Sequence, residues 1–384
     1  MKKRVIGLLL ALVLLMSLLP AGAMASGSEG ESGLKELWVN GENMLNDPYT
    51  VECGEDGGYA SYDKDSNTLT LSDAIITEGH TVYGGAYGIY ADGDLNIVLE
   101  GASTAGSDKL DAGVNIDGDL TITGTGSLTA TGDDEAGIDV SGNLTVNGGT
   151  VIGNHTDDTG VDVHGDLTVK SGGTVRGTSS TQEGIYASTL TVDGGSVDGS
   201  GLEGVYIENS IKVESGTVTV TGNGDRSHGI YIDNGNMTVK GGAVTVTGTG
   251  KFSHGIYIDN GSMTVENGTV ISRGEGYNSS GIYINNGRLT VEGGEVTSTG
   301  SGEFCYGIFM DYLTINGGTV IARANGESGF GLYTYIDKAV TISDKANVTV
   351  SSETPGYVIH SSDYSSGMVI LDGKEYTLKS STTE

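Results

Sequence analysis

The sequence predicts an all-β protein, a right-handed parallel β-helix of about 11–12 stacked coils with short caps at both ends. The first observation is a repeat, in which a Gly followed by Ile, Val or Leu recurs every 20–26 residues from Gly88 to Gly331, with a degenerate copy at Gly356. The second is that the apolar residues inside each unit alternate with period two, as in strands. Such short strands bury their apolar faces by stacking, and the crossover rule makes the path right-handed.

Each unit contains three strands in a fixed order. The first is exemplified by Gly229-Ile230-Tyr231-Ile232, the second by Leu289-Thr290-Val291 and the third by Gly293-Gly294-Glu295-Val296. Turn residues such as Asn234-Gly235 separate them. The pattern therefore predicts that each unit forms three strands joined by tight turns, with one face of every strand buried.

The chain begins with a basic start and an apolar run, followed by small residues at Ala23-Met24-Ala25. This pattern is typical of a signal peptide over residues 1–25 and predicts a secreted, extracellular protein, with no membrane span in the mature chain. The remaining boundaries are a flexible start at 26–33, an N-terminal cap with the first strands at 34–87, β-helix repeats at 88–356, and a C-terminal strand or hairpin cap at 357–384.

The charge of the chain limits its partners. Removal of residues 1–25 leaves 16 basic residues against 50 acidic ones, a net charge near −34. Nucleic acids and anionic membranes bind clustered Lys and Arg, so neither is an expected partner. Cys53 and Cys305 fall about eight coils apart, too far for a disulfide, and are expected to be separate thiols.

Seven consecutive units carry an aromatic residue as the second residue after Gly, where the strand pattern points the side chain to solvent. Stacking places these residues in one line: Tyr186, Tyr206, Tyr231, Tyr257, Tyr283, Phe309 and Tyr333. We expect the ring faces to form a platform for the sugar rings of a polysaccharide, with Asp233, Asp259 and Asn285 supplying polar groups. The alternative is that the rings only stabilise neighbouring strands.

Earlier units replace the aromatic residue by acidic ones, and their turns add further carboxylates. Carboxylate oxygens beside turn carbonyls suit a hard cation, which makes Ca²⁺ the expected cofactor. The predicted ligands are Asp134, Glu135, Asp139, Asp158 and Asp162. The alternative is a solvated acidic edge in a chain that is acidic throughout.

The repeat, the entry Trp38-Val39-Asn40-Gly41 and the segment from Ser61 to Leu71 resemble the clostridial-type carbohydrate-binding domain family. The resemblance covers about residues 35–350. It implies a right-handed β-helix similar to polysaccharide lyases, polysaccharide binding, calcium sites and no established catalysis. The motifs that carry it are largely structural, so the site residues above are derived from the sequence pattern itself.

Three classes of function remain open from the sequence. A non-catalytic carbohydrate-binding protein is favoured, and a structural cell-surface spacer or adhesin fits the repeats as well. A polysaccharide lyase would need a basic residue beside the acidic cluster, but Arg273 and Arg323 lie far from it. A glycoside hydrolase would need carboxylates across the scissile bond, as Asp139, Asp158 and Asp162 could supply, but hydrolase signature segments are absent.

Overall fold

The computed structural model describes residues 33–47, 49–54, 57–334, 340–343, 345–352, 359–361, 368–371 and 374–377. Within these ranges the chain is all-β and forms a solenoid of about 11 turns, which confirms the predicted fold class. The described residues contain no helix suited to crossing a membrane. The right-handed path stays a prediction of the crossover rule.

The first seven strands are β1 (Glu36–Val39), β2 (Glu42–Asn43), β3 (Thr50–Glu52), β4 (Tyr59–Asp63), β5 (Thr68–Ser72), β6 (Ile75–Ile76) and β7 (His80–Val82). The next thirteen are β8 (Gly85–Asp92), β9 (Leu95–Glu100), β10 (Ala102–Ala105), β11 (Ala112–Ile116), β12 (Leu120–Gly124), β13 (Ser127–Thr131), β14 (Ile138–Val140), β15 (Leu144–Val146), β16 (Gly149–Asn154), β17 (Val161–Lys170), β18 (Gly173–Thr178), β19 (Ile185–Gly201) and β20 (Glu203–Asn223).

The strands that follow are β21 (His228–Asn234), β22 (Met237–Val239), β23 (Ala243–Thr249), β24 (His254–Asn260), β25 (Met263–Val265), β26 (Thr269–Glu275), β27 (Asn278–Ile284), β28 (Arg288–Val291), β29 (Glu295–Ser301), β30 (Phe304–Met310), β31 (Tyr312–Ile315), β32 (Thr319–Asn325), β33 (Phe330–Thr334), β34 (Val340–Ile342), β35 (Asn347–Ser352), β36 (Ile359–Ser361), β37 (Met368–Leu371) and β38 (Lys374–Thr377).

Parallel pairing between successive coils produces three ladders, one for each strand of the repeat. The central part of the first ladder is β21, β24, β27, β30 and β33. That of the second is β22, β25, β28, β31 and β34, and that of the third is β23, β26, β29, β32 and β35. In β17, β19 and β20 the chain passes from one ladder to the next within a single strand, with register shifts at the corners.

The core is a column of aliphatic side chains along the inside of the coils. In the coil that begins at Gly229, Ile230, Ile232, Val239 and Val244 are all fully buried, and their counterparts in neighbouring coils are buried as well. The polar residues between them face outward, as the alternation predicts. Burial of this column contributes most of the free energy that stabilises the stacked coils, because a single unit cannot bury its apolar face alone.

Antiparallel strands lie at both ends of the stack. At the N-terminal end β1 pairs antiparallel with β8, and β4 pairs antiparallel with both β3 and β5. At the other end β38 pairs antiparallel with β37, which continues the second ladder. Cys53 and Cys305 are both buried and form no disulfide with each other, which confirms that they are separate thiols.

Some turns bring backbones of neighbouring coils so close that a side chain is excluded. A Cβ at Gly261 would overlap the carbonyl oxygen of Gly235 one coil away, and a Cβ at Gly287 would overlap that of Gly261. Glycine at these positions therefore allows the turns to stack at the same spacing as the strands.

We expect Gly261→Ala to lower the melting temperature by at least about 2 °C, because overpacking costs about 1–3 kcal/mol. Gly33→Ala is the matched control, since a Cβ there has no atom within 4 Å. Thermal melts followed by circular dichroism would measure both. Equal melting temperatures for the two variants would contradict the close approach of the turns.

Candidate functional site

The seven aromatic residues expected to align do form one line, here called the aromatic file. Backbone pairing in the first ladder places each residue beside its counterpart one coil away. The file consists of Tyr186, Tyr206, Tyr231, Tyr257, Tyr283, Phe309 and Tyr333.

The orientation of the rings differs from the expected platform. Neighbouring centroids in the file are 4.2–5.4 Å apart and the ring planes differ by 3–19°. The rings therefore stack face to face along the solenoid axis, so that each covers the faces of its neighbours. The expectation of open ring faces along the whole file is wrong, because side chains of one size at one register pack on each other before they meet solvent.

Phe309 departs furthest from the expectation of an outward ring. Its side chain is 4% exposed. The rings of Tyr283 and Tyr333 stack on it with centroids 4.2 and 5.0 Å away, and Tyr306 contacts it edge-to-face at 5.3 Å. Phe309 therefore contributes to packing within the file, whereas the five tyrosines that precede it in the file keep part of their surface in solvent.

A row of polar groups runs beside the aromatic file, as expected for Asp233, Asp259 and Asn285. The Tyr257 hydroxyl donates to Oδ1 of Asp259 at 3.3 Å, and Nδ2 of Asn285 donates to the same oxygen at 2.9 Å. Burial and the charges of Asp233 and Asp259 raise the pKa of Tyr231 above its usual value. The phenols thus remain protonated, and each can donate a hydrogen bond.

Two histidines form a second column beside the aromatic file. The rings of His228 and His254 stack with centroids 5.2 Å apart, and each also packs on two tyrosines of the file. Burial lowers the pKa of His228 to about 4 and that of His254 well below its usual value. Both imidazoles are therefore neutral near pH 7 and extend the ring packing sideways.

The acidic residues gather around Asp139 and Asp162, which pair in register on adjacent coils. Nε2 of His164 lies 3.8 Å from Oδ1 of Asp139 and 3.8 Å from Oδ2 of Asp162. Oδ1 of Asp162 is buried without a hydrogen-bond partner. Burial first, and then the charge of Asp139, raises the pKa of Asp162 to about 6. Burial likewise raises the pKa of Asp139.

The other predicted calcium ligands lie around this pair with partners of their own. Glu135 accepts a hydrogen bond from the Tyr87 hydroxyl at 3.3 Å, and Asp158 accepts one from its neighbouring backbone amide at 2.6 Å. Asp134 is exposed. In the part of the chain that the structure describes, no group of three or more His, Cys, Asp or Glu is arranged to hold a metal ion. The orphaned oxygen of Asp162 fits a cation, and calcium binding here stays a prediction.

The acidic pair predicts an unusual dependence of stability on pH. A carboxyl whose pKa is higher in the folded chain than in the unfolded one binds its proton more tightly when folded, so stability falls as pH rises through the folded pKa. For Asp162 this window runs from its ordinary 3.8 to about 6. Glu203, whose pKa burial and Glu183 raise to about 7, adds to it.

We therefore expect the melting temperature to rise as pH falls from 7 to 5. Asp162→Asn should raise it at pH 7 and reduce the rise on acidification, because the variant has no anion to bury. Asp157→Asn, an exposed residue on the nearby turn, is the matched control and should keep the wild-type profile. Identical profiles for the two variants would show that the acidic pair is not under electrostatic strain.

Calcium supplies a second test of the same cluster. A cation bound by the native state alone stabilises it by RT ln(1 + [L]/Kd), about 2.7 kcal/mol at a hundredfold excess over Kd. Calcium should raise the melting temperature of the wild type at pH 7, and the double variant Asp139→Asn/Asp162→Asn should lose this response. A wild-type melt that chelator and calcium leave unchanged would end the calcium prediction.

The structure also brings together three exposed rings that the sequence pattern did not single out. Phe252, Tyr277 and Phe304 are about two-fifths exposed and contact one another on three consecutive coils. Phe252 and Tyr277 lie in the turn that precedes the first-ladder strand, and Phe304 is the first residue of that strand, before the repeated motif. The available signal was an aromatic residue close before the Gly of three successive units.

An open groove of about 450 Å³ lies at the corner after the third ladder, near the N-terminal end. Its lining is Thr104, Ala105, Gly106, Ser107, Asp108, Thr129, Thr131, Gly132, Asp133 and Thr156. The groove contains none of the residues predicted to bind carbohydrate or calcium.

Comparison of the chain with protein-family models, curated proteins and solved structures yields no match. The resemblance to the clostridial-type carbohydrate-binding family accordingly stays a prediction.

Proposed function

We propose that this protein is an exported, non-catalytic carbohydrate-binding protein that holds a polysaccharide along the first ladder. The observation that carries the proposal is the aromatic file with its adjoining polar row, repeated at the spacing of the coils. A polysaccharide is itself a chain of similar units with hydroxyl groups at regular intervals. A regular array of donors and acceptors can therefore meet it with the same contact several times.

The contact follows from the way the rings are packed. Since the faces of the file are covered by neighbouring rings, a sugar meets the ring edges and the phenol hydroxyls. The phenols of Tyr206 and Tyr231 can donate to sugar oxygens. The Tyr257 hydroxyl, which donates its proton to Asp259, can accept from a sugar hydroxyl, as can the carboxylates of Asp233 and Asp259. The formal net charge of −31 favours a neutral chain over a polyanion, because like charges repel.

The absence of catalysis is part of the proposal. A lyase would need a base and a cation beside the same uronate, but Arg273 and Arg323 belong to the third ladder. Asp139 and Asp162 belong to the first ladder. These two arginines and the carboxylates therefore lie on different faces, which favours binding over lyase cleavage with an arginine base.

A structural spacer is the second candidate, and the covered ring faces favour it. Face-to-face stacking of seven rings stabilises neighbouring coils by about 0.5–1.5 kcal/mol per pair, whether or not a ligand binds. In that case the aromatic file stabilises the solenoid, and the outer surface does not bind a glycan.

Replacement of hydroxyls separates the two candidates, because it leaves the ring stack in place. The triple variant Tyr206→Phe, Tyr231→Phe and Tyr257→Phe should keep its melting temperature within about 2 °C. Its affinity should fall about tenfold or more, since each lost hydrogen bond costs about 0.5–1.5 kcal/mol. Pull-down on insoluble cellulose, xylan and pectin would show binding, and calorimetry with soluble oligosaccharides would give the affinity.

The corresponding triple Ala variant serves as the control for stacking and should lose both stability and affinity. Wild-type affinity in the triple Phe variant would contradict contact through the hydroxyls. Wild-type protein that stays in the supernatant with every polysaccharide would contradict the proposed function and leave the spacer.

A further inference from the structure

Among the described residues, three of the six large apolar side chains with substantial exposure occur together. Phe252 is 38% exposed, Tyr277 is 43% exposed and Phe304 is 40% exposed, and they occupy consecutive coils. We call them the exposed ridge. The other three, Tyr49, Ile75 and Tyr83, belong to the N-terminal strands and turns. Clustered exposure of this kind on a folded chain marks a binding surface more often than scattered exposure does.

The rings of the exposed ridge meet edge-to-face, unlike those of the aromatic file. Phe252 and Tyr277 have centroids 6.4 Å apart with planes at 78°, and Tyr277 and Phe304 have centroids 5.3 Å apart with planes at 70°. An edge-to-face pair leaves uncovered a ring face that a stacked pair would cover. The ammonium of Lys251 lies over the Phe252 ring, 5.7 Å from its centroid, and the three rings together keep about two-fifths of their surface in solvent.

The backbone holds the ridge in place from coil to coil. The amide of Phe252 donates to the carbonyl of Asp225 at 2.8 Å, and the amide of Phe304 donates to that of Tyr277 at 2.9 Å. The turns that carry the rings are thus hydrogen-bonded as the strands are, so the rings are presented without a loop having to order on binding. A surface of this kind loses little conformational entropy when a ligand arrives.

The exposed ridge lies on the same three coils as Tyr257, Tyr283 and Phe309 of the aromatic file. On one coil Phe252 is followed by His254 and then by Tyr257, and the rings of His254 and Tyr257 stack with centroids 5.5 Å apart. The three coils are stacked along the solenoid axis, so a ligand that contacts all three rings of the ridge lies along that axis.

We propose that the exposed ridge is the surface on which sugar rings stack, and that its ligand is a neutral, β-linked glycan lying along the solenoid axis. This inference rests on the proposed function and adds to it the contact surface and the ligand class. The C–H faces of an equatorially substituted pyranose pack on aromatic faces, and the rise of one coil is similar to the length of one sugar residue in an extended chain.

Charge and size select this occupant over others. A polyanion would meet a chain with 50 acidic and 19 basic residues. A stable protein partner needs about 800 Å² on each side, far more than three partly exposed rings in a line provide. A linear glycan needs only a narrow strip with a few contacts along its length, and the three rings of the ridge, with centroids 6.4 and 5.3 Å apart, form such a strip.

The test compares the triple variant Phe252→Ala, Tyr277→Ala and Phe304→Ala with the control Tyr83→Ala, whose side chain is 99% exposed and stands apart from the ridge. Calorimetry with cellohexaose, xylohexaose and mannohexaose would identify the neutral glycan, with oligogalacturonate as the anionic comparison. We expect the triple variant to stay folded with a somewhat lower melting temperature, because two edge-to-face contacts are lost, and to lose at least tenfold in affinity for the neutral glycan when measured well below that temperature. The control should bind as the wild type does.

Each other outcome has a distinct meaning. A wild type that binds a glycan and a ridge variant that binds it equally would overturn this inference and leave the proposed function standing. Preference for oligogalacturonate would overturn the assigned ligand class. A wild type that binds none of the glycans, including the insoluble ones, would overturn both. A ridge variant that changes oligomeric state but not glycan binding would identify the ridge as a self-association surface and overturn the inference.

Discussion

Each coil of the solenoid is hydrogen-bonded to the next in strict register, so that a side chain meets its own counterpart one strand spacing away. This constraint governs both the interior and the surface. Inside, the hydroxyl of Ser272 donates to the carbonyl of Gly281 at 2.6 Å, and Ser298 repeats the bond to Gly307 at the same length one coil further on. A favourable contact is multiplied by the number of coils, and so is an unfavourable one.

The outer column of the first ladder contains both cases. Where the repeated residue is aromatic, the rings of Tyr231 and Tyr257 stack with centroids 5.2 Å apart. Where it is acidic, Asp139 and Asp162 face each other at the same register. Burial raises the pKa of both carboxyls, and the charge of Asp139 raises that of Asp162 further. The outer column of the first ladder thus has an aromatic segment that stabilises the stack and an acidic segment that is electrostatically strained. Binding of a cation or a proton at the acidic segment would relieve this strain.

The fold could be predicted from the sequence because period-two alternation and a repeat of about 25 residues leave few other ways to bury the apolar faces. The alignment of the aromatic file followed from the same repeat. Ring orientation did not, because the register fixes Cα positions and leaves the plane of a ring to its neighbours. Tyr90 belongs to the same column, yet it is 3% exposed because β1 with Trp38 covers it. The exposed ridge lies in the turns and at the strand start before the repeated Gly, where the repeat does not fix the residue type.

The register also determines how such a chain can change in evolution. Counterparts such as His228 and His254 lie 26 residues apart, so duplication of one such segment in the gene would insert one whole coil. The aromatic file would lengthen by one ring while every other contact kept its partner. A single inserted residue within a strand would instead turn inner side chains outward. The length of surface that the solenoid presents to a partner therefore changes by whole coils, whereas the turns tolerate insertion or deletion of a few residues.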